Sequence, residues 1–386
     1  MTAVDVLVIG AGPAGTLAAI AAARGGARVL LAERAAFPRQ KVCGCCLSAE
    51  ALATLAELGS GAAVEDAVPI DAVLLAAGGR EATVARRAGA AISRAQLDAR
   101  LAALAGDAGA EVRTGCPVSR RPDGTWDAGG AVVHARCAVV ADGLSGHALD
   151  GVAGFGWRVS ARSRMGFGAL VPASAVRCRS GEVRMHVARG GYAGAVLLPC
   201  GQVDIAAAAG PAAVREAGGP AAWAVAALGD AVREPGALRS AAWRGAPTLT
   251  RRRSAVAGPG IVVAGDAAAY VEPFTGEGMG WAMSTGAAAG AFAAAVAHGR
   301  TTTAEWPATH ARISRAARAR CRAISLLLRS PLAVRTAIAV AAALPRTAEA
   351  VAARVGGVRR RGSGAGPCTG PCAGAGTGAG AREAGA

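Results

Sequence analysis

The residue types best placed to bind a charged ligand fall in three glycine-bearing segments, far apart but in a fixed order. They are Gly10-Ala11-Gly12-Pro13-Ala14-Gly15, Val139-Val140-Ala141-Asp142-Gly143, and Val262-Val263-Ala264-Gly265-Asp266-Ala267, the last followed by Pro273 and Gly276-Glu277-Gly278. In the first, Gly10 permits a tight turn and Gly12 lets a pyrophosphate approach the backbone. Gly15 lets helix and strand pack closely, so that an anion meets the free N–H groups at the helix N-terminus. The apolar run Val4, Val6, Val8, Ile9 before the glycines and the Ala-rich stretch from Thr16 to Arg24 after them predict strand, turn and helix. A second strand, Arg28 to Ala32, ends at Glu33. That is about 20 residues past the glycines, where an acid binds a ribose hydroxyl. A carboxylate there disfavours a 2′-phosphate, so the site is expected to take FAD or NAD rather than NADP.

The late segment separates those two. Ile261 to Ala264 reads as another buried strand, and Asp266 at its end can accept hydrogen bonds from a ribose or a ribityl chain. A long helix is expected from Gly278 through Trp281, Met283 and Ala288 to about Val296. With its N-terminus at a flavin ring, its dipole and free N–H groups stabilise the negative charge that develops at N1 and O2 on reduction. A nicotinamide dehydrogenase has no use for such a segment.

Taken in order, Gly10 to Gly15, Glu33-Arg34, Phe37-Pro38-Arg39-Gln40-Lys41-Val42-Cys43-Gly44, Asp142-Gly143 and Gly265-Asp266 through Gly278 resemble a known superfamily. It is the FAD-dependent one that holds para-hydroxybenzoate hydroxylase and geranylgeranyl reductase. The resemblance spans roughly residues 1 to 330 in outline. It implies an α/β fold: a Rossmann-like FAD-binding domain of glutathione-reductase type, an inserted antiparallel β-sheet substrate domain and C-terminal helices. By position it implies that Glu33, with Arg34 beside it, serves the adenosine ribose, that Arg94 lies near the phosphates, and that Asp266 meets the ribityl or pyrophosphate region. Gly276, Glu277, Gly278 and Met279 would line the isoalloxazine. Asp142-Gly143 would stand near the pyrophosphate, and Lys41, Cys43 and Gly44 would form the loop at the flavin edge.

Two branches of that superfamily compete. The Pro38-to-Gly44 loop and the Gly276-Glu277-Gly278-Met279 turn look more like geranylgeranyl-reductase-type proteins, which usually carry a Tyr-x-Trp-x-Phe-Pro segment on a substrate strand. This chain has Gly191-Tyr192-Ala193-Gly194-Ala195-Val196-Leu197-Leu198-Pro199, keeping Tyr192 and losing the tryptophan. It is thereby closer to bacterial oxidoreductases often associated with polyketide assembly. The resemblance implies an NAD(P)H-dependent monooxygenase acting on a hydrophobic aromatic or polyketide-like molecule. Reduction of isoprenoid double bonds is the alternative, and a flavin-binding protein without turnover is a third reading. Such enzymes need few catalytic side chains, because the cofactor carries the chemistry. Cys43, Tyr192 and Pro273 are the flavin-proximal candidates.

Cys43, Cys45 and Cys46 sit near Arg39 and Lys41, surroundings that lower a thiol pKa; their plainer role is as small apolar fillers. Cys-x-Cys-Cys is not a zinc spacing, and no metal site is expected. The 5 histidines are scattered without ligand spacing.

The chain has 386 residues, 53% of them hydrophobic, enough for two packed domains. Its formal charge of +16 comes with only 3% aromatic residues and no nucleic-acid-binding module, so no nucleic-acid partner is expected. Ten cysteines and an N-terminus that enters a strand at once predict a reducing, cytoplasmic setting without a leader. From Gly278 to Gly299 no charged residue appears, long enough to span a bilayer, but the position after Gly265-Asp266 favours a helix buried against the flavin. Ile324 to Leu344, broken by Arg329, Pro331 and Arg335, is expected to form amphipathic helices that close the substrate pocket or join the core, with a membrane-surface position as the alternative. The predicted organisation is 1–150 for the first part of the FAD domain, with short strands at about 66–90, then 151–254 for the substrate sheet. Residues 255–300 return to the FAD domain, 301–355 form a helical region, and 356–386 form a disordered Gly/Ala-rich tail.

Overall fold

A computed structural model of the chain describes residues 2–85, 89–272, 274 and 276–355. The tail expected to be disordered and Pro273 lie outside the described residues.

Strand Thr2–Ile9 holds the centre of the nucleotide sheet, paired in parallel with Val29–Ala32 on one side and Ala131–Val140 on the other. Its run Val6 to Ile9 is buried on both faces, as a parallel strand covered by helices must be. Glu111–Arg113 and Ile261–Val263 extend the sheet at either side, again in parallel. Helix Pro13–Arg24 starts with proline at its first position, where no N–H is needed.

The long late helix runs from Gly278 to Ala297 and crosses the helix Pro13–Arg24 at backbone distance. A Cβ at Gly286 would collide with the Ala14 carbonyl, and one at Gly290 with that of Ala18. This helix is long and apolar enough to cross a membrane, yet most of it is enclosed by protein. It is a core helix, and the absence of charge in its sequence reflects that burial.

A second sheet has the order Arg244–Thr248, Met165–Pro172, Gln202–Ala209, Gly191–Leu197, Glu182–Ala188, Ala72–Ala77, Arg80–Ala85. The expectation of an antiparallel sheet needs one correction: Glu182–Ala188 runs parallel to Ala72–Ala77. A parallel pair requires a long crossover, and the chain between these strands, which passes through the nucleotide sheet, supplies it. Alternation sorts the strands' side chains onto two faces. Phe167, Ala193, Ala195, Val203 and Ile205 pack under short helices carrying Trp223 and Leu238. Tyr192, Val196 and Ala208 face the other way, toward Cys45 and the C-terminal helix residues Val334 and Ile338.

The expected helical region is three helices, Trp306–Leu327, Pro331–Ala343 and Pro345–Val355, each break falling at a proline. Trp306 is fully buried, and its indole N–H donates to the Val263 carbonyl at 3.0 Å, fixing the first of them under the nucleotide sheet.

Candidate cofactor site

The glycine loop is shaped by contacts that only glycine allows. Gly10 has a left-handed φ of 95°, and a Cβ on Gly15 would strike the Gly10 carbonyl. Gly12 stays open, with Arg39 Nη2 and Arg94 Nη2 each 3.8 Å from where its Cβ would sit. Pro13 and Ala14 follow in the first helical turn.

Around this loop lies a charged lattice. The Glu33 carboxylate is buried; Oε2 accepts from the Ala11 N–H at 2.9 Å and from Arg39 at 3.4 Å, and Oε1 accepts from the Ala35 N–H at 3.1 Å. Arg94 forks onto Asp98 at 3.0 and 2.9 Å, and Arg39 reaches the same carboxylate at 3.2 Å. Asp98 is fully buried, one helical turn after Arg94. Arg39 Nε and Nη1 are buried without a partner, beside a loop built to admit a pyrophosphate. Orphaned buried donors are costly unless an anion completes them, so the residues present fit the phosphates of FAD.

On the other side of the cleft, the position of a Cβ on Gly143 lies 3.4 Å from Lys41 Nζ. The Lys41 residue is open to solvent at the cleft mouth, while its amine, hemmed in by protein and by Arg39 and Arg94, is lowered to about 8. Asp142 accepts from the Ala148 N–H at 3.0 Å; its Oδ1 is enclosed without a partner, and burial raises its pKa. Burial likewise pushes Asp266 up to about 6, against the Trp281 N–H at 3.4 Å and the nearby Lys41 and Arg94. Raised carboxyls facing the cleft suit hydrogen bonds to ribityl or ribose hydroxyls.

Cys43 links this cleft to the substrate sheet. Its sulfur is 3.9 Å from that of Met279, at the start of the long helix. A hydrogen bond from Cys45 lowers the Cys43 thiol to about 6 despite burial, with Arg94 adding to the effect. Cys45 is pushed up in turn by that bond, by burial and by Asp204. Cys45 has a positive φ of 50°, unusual for a side chain of its kind. Asp204, in the strand beneath, is buried, its Oδ2 has no partner, and burial holds its pKa well above the ordinary carboxyl range.

The structure thus brings together Gly10 to Gly15, Glu33, Lys41, Cys43, Arg94, Asp142-Gly143, Asp266 and Met279. Gly44 stands between the cleft and the sheet, a Cβ there meeting Ala206 at 3.9 Å. Gly265 is buried against Ala14, and Gly276 packs over Cys46. Arg34 is exposed and stands apart. The Glu277 carboxylate takes the Arg320 guanidinium at 3.1 Å and the Cys321 thiol at 3.7 Å, tying the Gly276–Gly278 turn to helix Trp306–Leu327. Tyr192 stacks edge-on to Phe274 at 5.0 Å, with Arg164 over its ring. Arg164 in turn is paired with buried Glu272 at 2.6 Å, which Ser325 also reaches at 2.6 Å.

Sequence reasoning missed Asp98, Asp204 and the Arg164–Glu272 pair. Asp98 had a signal, its four-residue spacing from Arg94 on one helix face. Asp204 had only its place in an otherwise apolar strand, Gln202–Ala209.

A glycine loop on a parallel sheet, with an acid on its ribose side and a basic pyrophosphate cradle, defines a dinucleotide-binding flavoprotein fold with a substrate sheet across the cleft. The FAD dependent oxidoreductase family matches residues 5–68. The menaquinone reductase of Mycolicibacterium smegmatis is 30% identical over 311 residues, covering 74% of this chain and 75% of that protein. The chain belongs to this family of FAD-dependent oxidoreductases. Among solved structures, a flavoprotein/dehydrogenase from Cytophaga hutchinsonii shares the fold with a TM-score of 0.76 at 20% identity, covering 92% of this chain and 93% of that one. A geranylgeranyl bacteriochlorophyll reductase-like protein from Thermoplasma acidophilum does so with a TM-score of 0.73 at 18% identity, covering 92% and 96%.

When bound, FAD would supply electron transfer here. Arg39 and the glycine loop would hold its phosphates and Glu33 its ribose, with Cys43 and Met279 at its edge.

Proposed function

We propose that the protein reduces an isoprenoid quinone of the menaquinone class at a membrane surface, with NAD(P)H as the source of electrons. The likeness to menaquinone reductase over three quarters of both chains supports this reading. The observation that carries it is the outer face of the C-terminal helices. Helix Pro331–Ala343 buries Val334, Ile338 and Ala341 against the substrate sheet and turns Leu332, 76% exposed, outward. Leu326, Leu327, Val340, Leu344 and Val351 are exposed on or between the same three helices, interleaved with Arg329, Arg335 and Arg346. Nearly every large exposed apolar side chain among the described residues is gathered here, Val159 being the exception. An apolar face edged with arginine suits an anionic bilayer, and the helices that carry it pack against the sheet that holds Tyr192. The protein would then work from the cytoplasmic side as a peripheral protein.

Hydroxylation of an aromatic or polyketide-like molecule is the second reading, supported by the loss of tryptophan beside Tyr192, which leaves Ala193 and Gly194 on the substrate strand. One experiment separates them. Purified holoprotein is given menaquinone in phosphatidylglycerol vesicles and NADPH under nitrogen, and products are weighed. A product two hydrogens heavier supports quinone-class reduction. Absence of turnover without oxygen, with oxygen uptake matched to NADPH loss on an aromatic substrate, overturns it in favour of hydroxylation.

A further inference from the structure

A cavity of about 210 Å³ opens between strands Trp157–Val159 and Arg251–Arg253 and helix Trp306–Leu327. Arg158, Arg251, Arg252, Arg318 and Arg322 line it, and among the described residues no carboxylate does. Arg251 is held in place by its ladder pairing with Val159 and Tyr270 and by the Trp157 ring, 4.1 Å from its guanidinium carbon. Arg253, itself buried, stacks on the same ring at 4.3 Å. Nε and Nη2 of Arg251 and Nε of Arg318 are buried with no hydrogen-bond partner.

Such a cluster is unfavourable as it stands. Burial lowers Arg318, and its neighbours Arg322 and Arg252 lower it further; burial and Arg253 do the same to Arg251, while Asp142 and Asp266 behind it pull the other way. Orphaned guanidinium donors around a small enclosed space are completed by an anion. The guanidinium fork matches a phosphate in particular.

We infer that this cavity receives a phosphate of a soluble nucleotide reductant, the 2′-phosphate of NADPH. The volume admits a phosphate group and not a dinucleotide, so the rest of the ligand would extend outward. Tyr270 connects the cavity to the cofactor site: it lines the cavity, and its ring packs edge-on at 5.8 Å against Trp281, whose N–H reaches Asp266. A reductant anchored by its phosphate here is tethered beside the flavin end of the cleft. The glycine loop, with Glu33 on its ribose side, is the poorer place for that group. The inference rests on the redox reading of the protein and deepens it.

The test is calorimetric titration of the FAD-loaded protein with 2′,5′-ADP and with 5′-AMP, which lacks the 2′-phosphate. The expected result is at least tenfold tighter binding of 2′,5′-ADP, competition by inorganic pyrophosphate, and a loss of at least tenfold in the Arg251→Ala/Arg318→Ala double variant. Arg158→Ala/Arg322→Ala removes two exposed side chains and should weaken binding at least threefold with flavin content unchanged, so the inference stays testable if the first variant misfolds. Equal binding of the two nucleotides, or equal binding by wild type and both variants, overturns it. So does a defect confined to phosphatidylglycerol vesicles, which would assign the cavity to a lipid headgroup. Because titration needs no turnover, a protein that binds 2′,5′-ADP but leaves menaquinone unreduced would sink the proposed substrate alone. One that reduces menaquinone with NADH and NADPH alike, and binds neither fragment, would sink only this inference.

Discussion

The cofactor cleft and the substrate sheet both bury charged groups, but Glu33 and Asp98 of the cleft are each shared among several donors, while Asp204 of the sheet is not. In the cleft, Glu33 accepts three hydrogen bonds and Asp98 is shared by two arginines. In the sheet, Asp204 keeps an unpartnered oxygen and Tyr192 has the Phe274 ring and the Arg164 guanidinium against its own ring. Such a lattice would hold one ligand in one pose. The cleft depends mainly on backbone approach, so its weak points are glycines; the sheet depends on side chains, so its weak points are functional rather than structural.

The comparison can be broken hardest at the close backbone contacts. Gly290→Val and Gly15→Val should each destabilise by about 3 kcal/mol or more, the upper end for overpacking, whereas Tyr192→Phe should leave stability within about 1 kcal/mol. Denaturant unfolding and soluble yield give the comparison, and a stable Gly15→Val protein that still binds FAD would contradict the assigned packing.

Next comes Arg39→Ala. It removes a guanidinium whose free donors face the glycine loop, so flavin affinity should fall by roughly 10- to 100-fold, equivalent to the 1–3 kcal/mol of a charge-assisted hydrogen bond. Tyr192→Phe should not move it. Fluorescence titration of the apoprotein with FAD reads both.

A third effect lies under the nucleotide sheet. Burial, with Arg318 nearby, lowers His310 to about 4, below the ordinary 6.5, so the folded chain binds fewer protons than the unfolded one between those values. Its contribution is complete above about pH 6.5 and is lost as the pH falls toward 4, by up to about 3 kcal/mol. Asp266, raised to about 6, acts in the opposite direction: the folded chain holds its proton longer, so stability is gained as pH falls from about 6 toward 4. The expected outcome is therefore read as a difference: His310→Gln should lose less stability than wild type between pH 6.5 and 4 in urea titrations.

The smallest effect sharpens the boundary between the two regions. Cys43 should be alkylated by iodoacetamide with a midpoint at about 6, and bound FAD should protect it. Removing the main cause of that shift with Cys45→Ala should raise the midpoint by about 1 unit, about fivefold in rate at pH 6. An unmoved midpoint would show that Arg94 alone sets the thiol.

How much of this was legible beforehand follows the same division. The strand, turn and helix around Gly10 to Gly15 could be read because each glycine answers a local backbone demand. Glu33 was legible from its offset. Glu277 was harder: its partner Arg320 lies in a helix whose docking no local pattern announces. The parallel junction between Ala72–Ala77 and Glu182–Ala188 was hidden for a related reason, because strand direction depends on the route of the intervening chain. The arginines around the cavity were visible only as Arg251-Arg252-Arg253 in sequence, with nothing to say that Arg158, Arg318 and Arg322 meet them.

The backbone contact of Gly286 and Gly290 with Ala14 and Ala18 also bears on assembly during synthesis. The N-terminal βα unit leaves the ribosome long before the helix that completes its packing has been translated, and the intervening chain must be produced with that alanine-rich surface uncovered. Closure of the cofactor half is therefore a late, high-contact-order event, and the nascent chain carries an apolar flank for chaperones to shield until residue 290 has emerged.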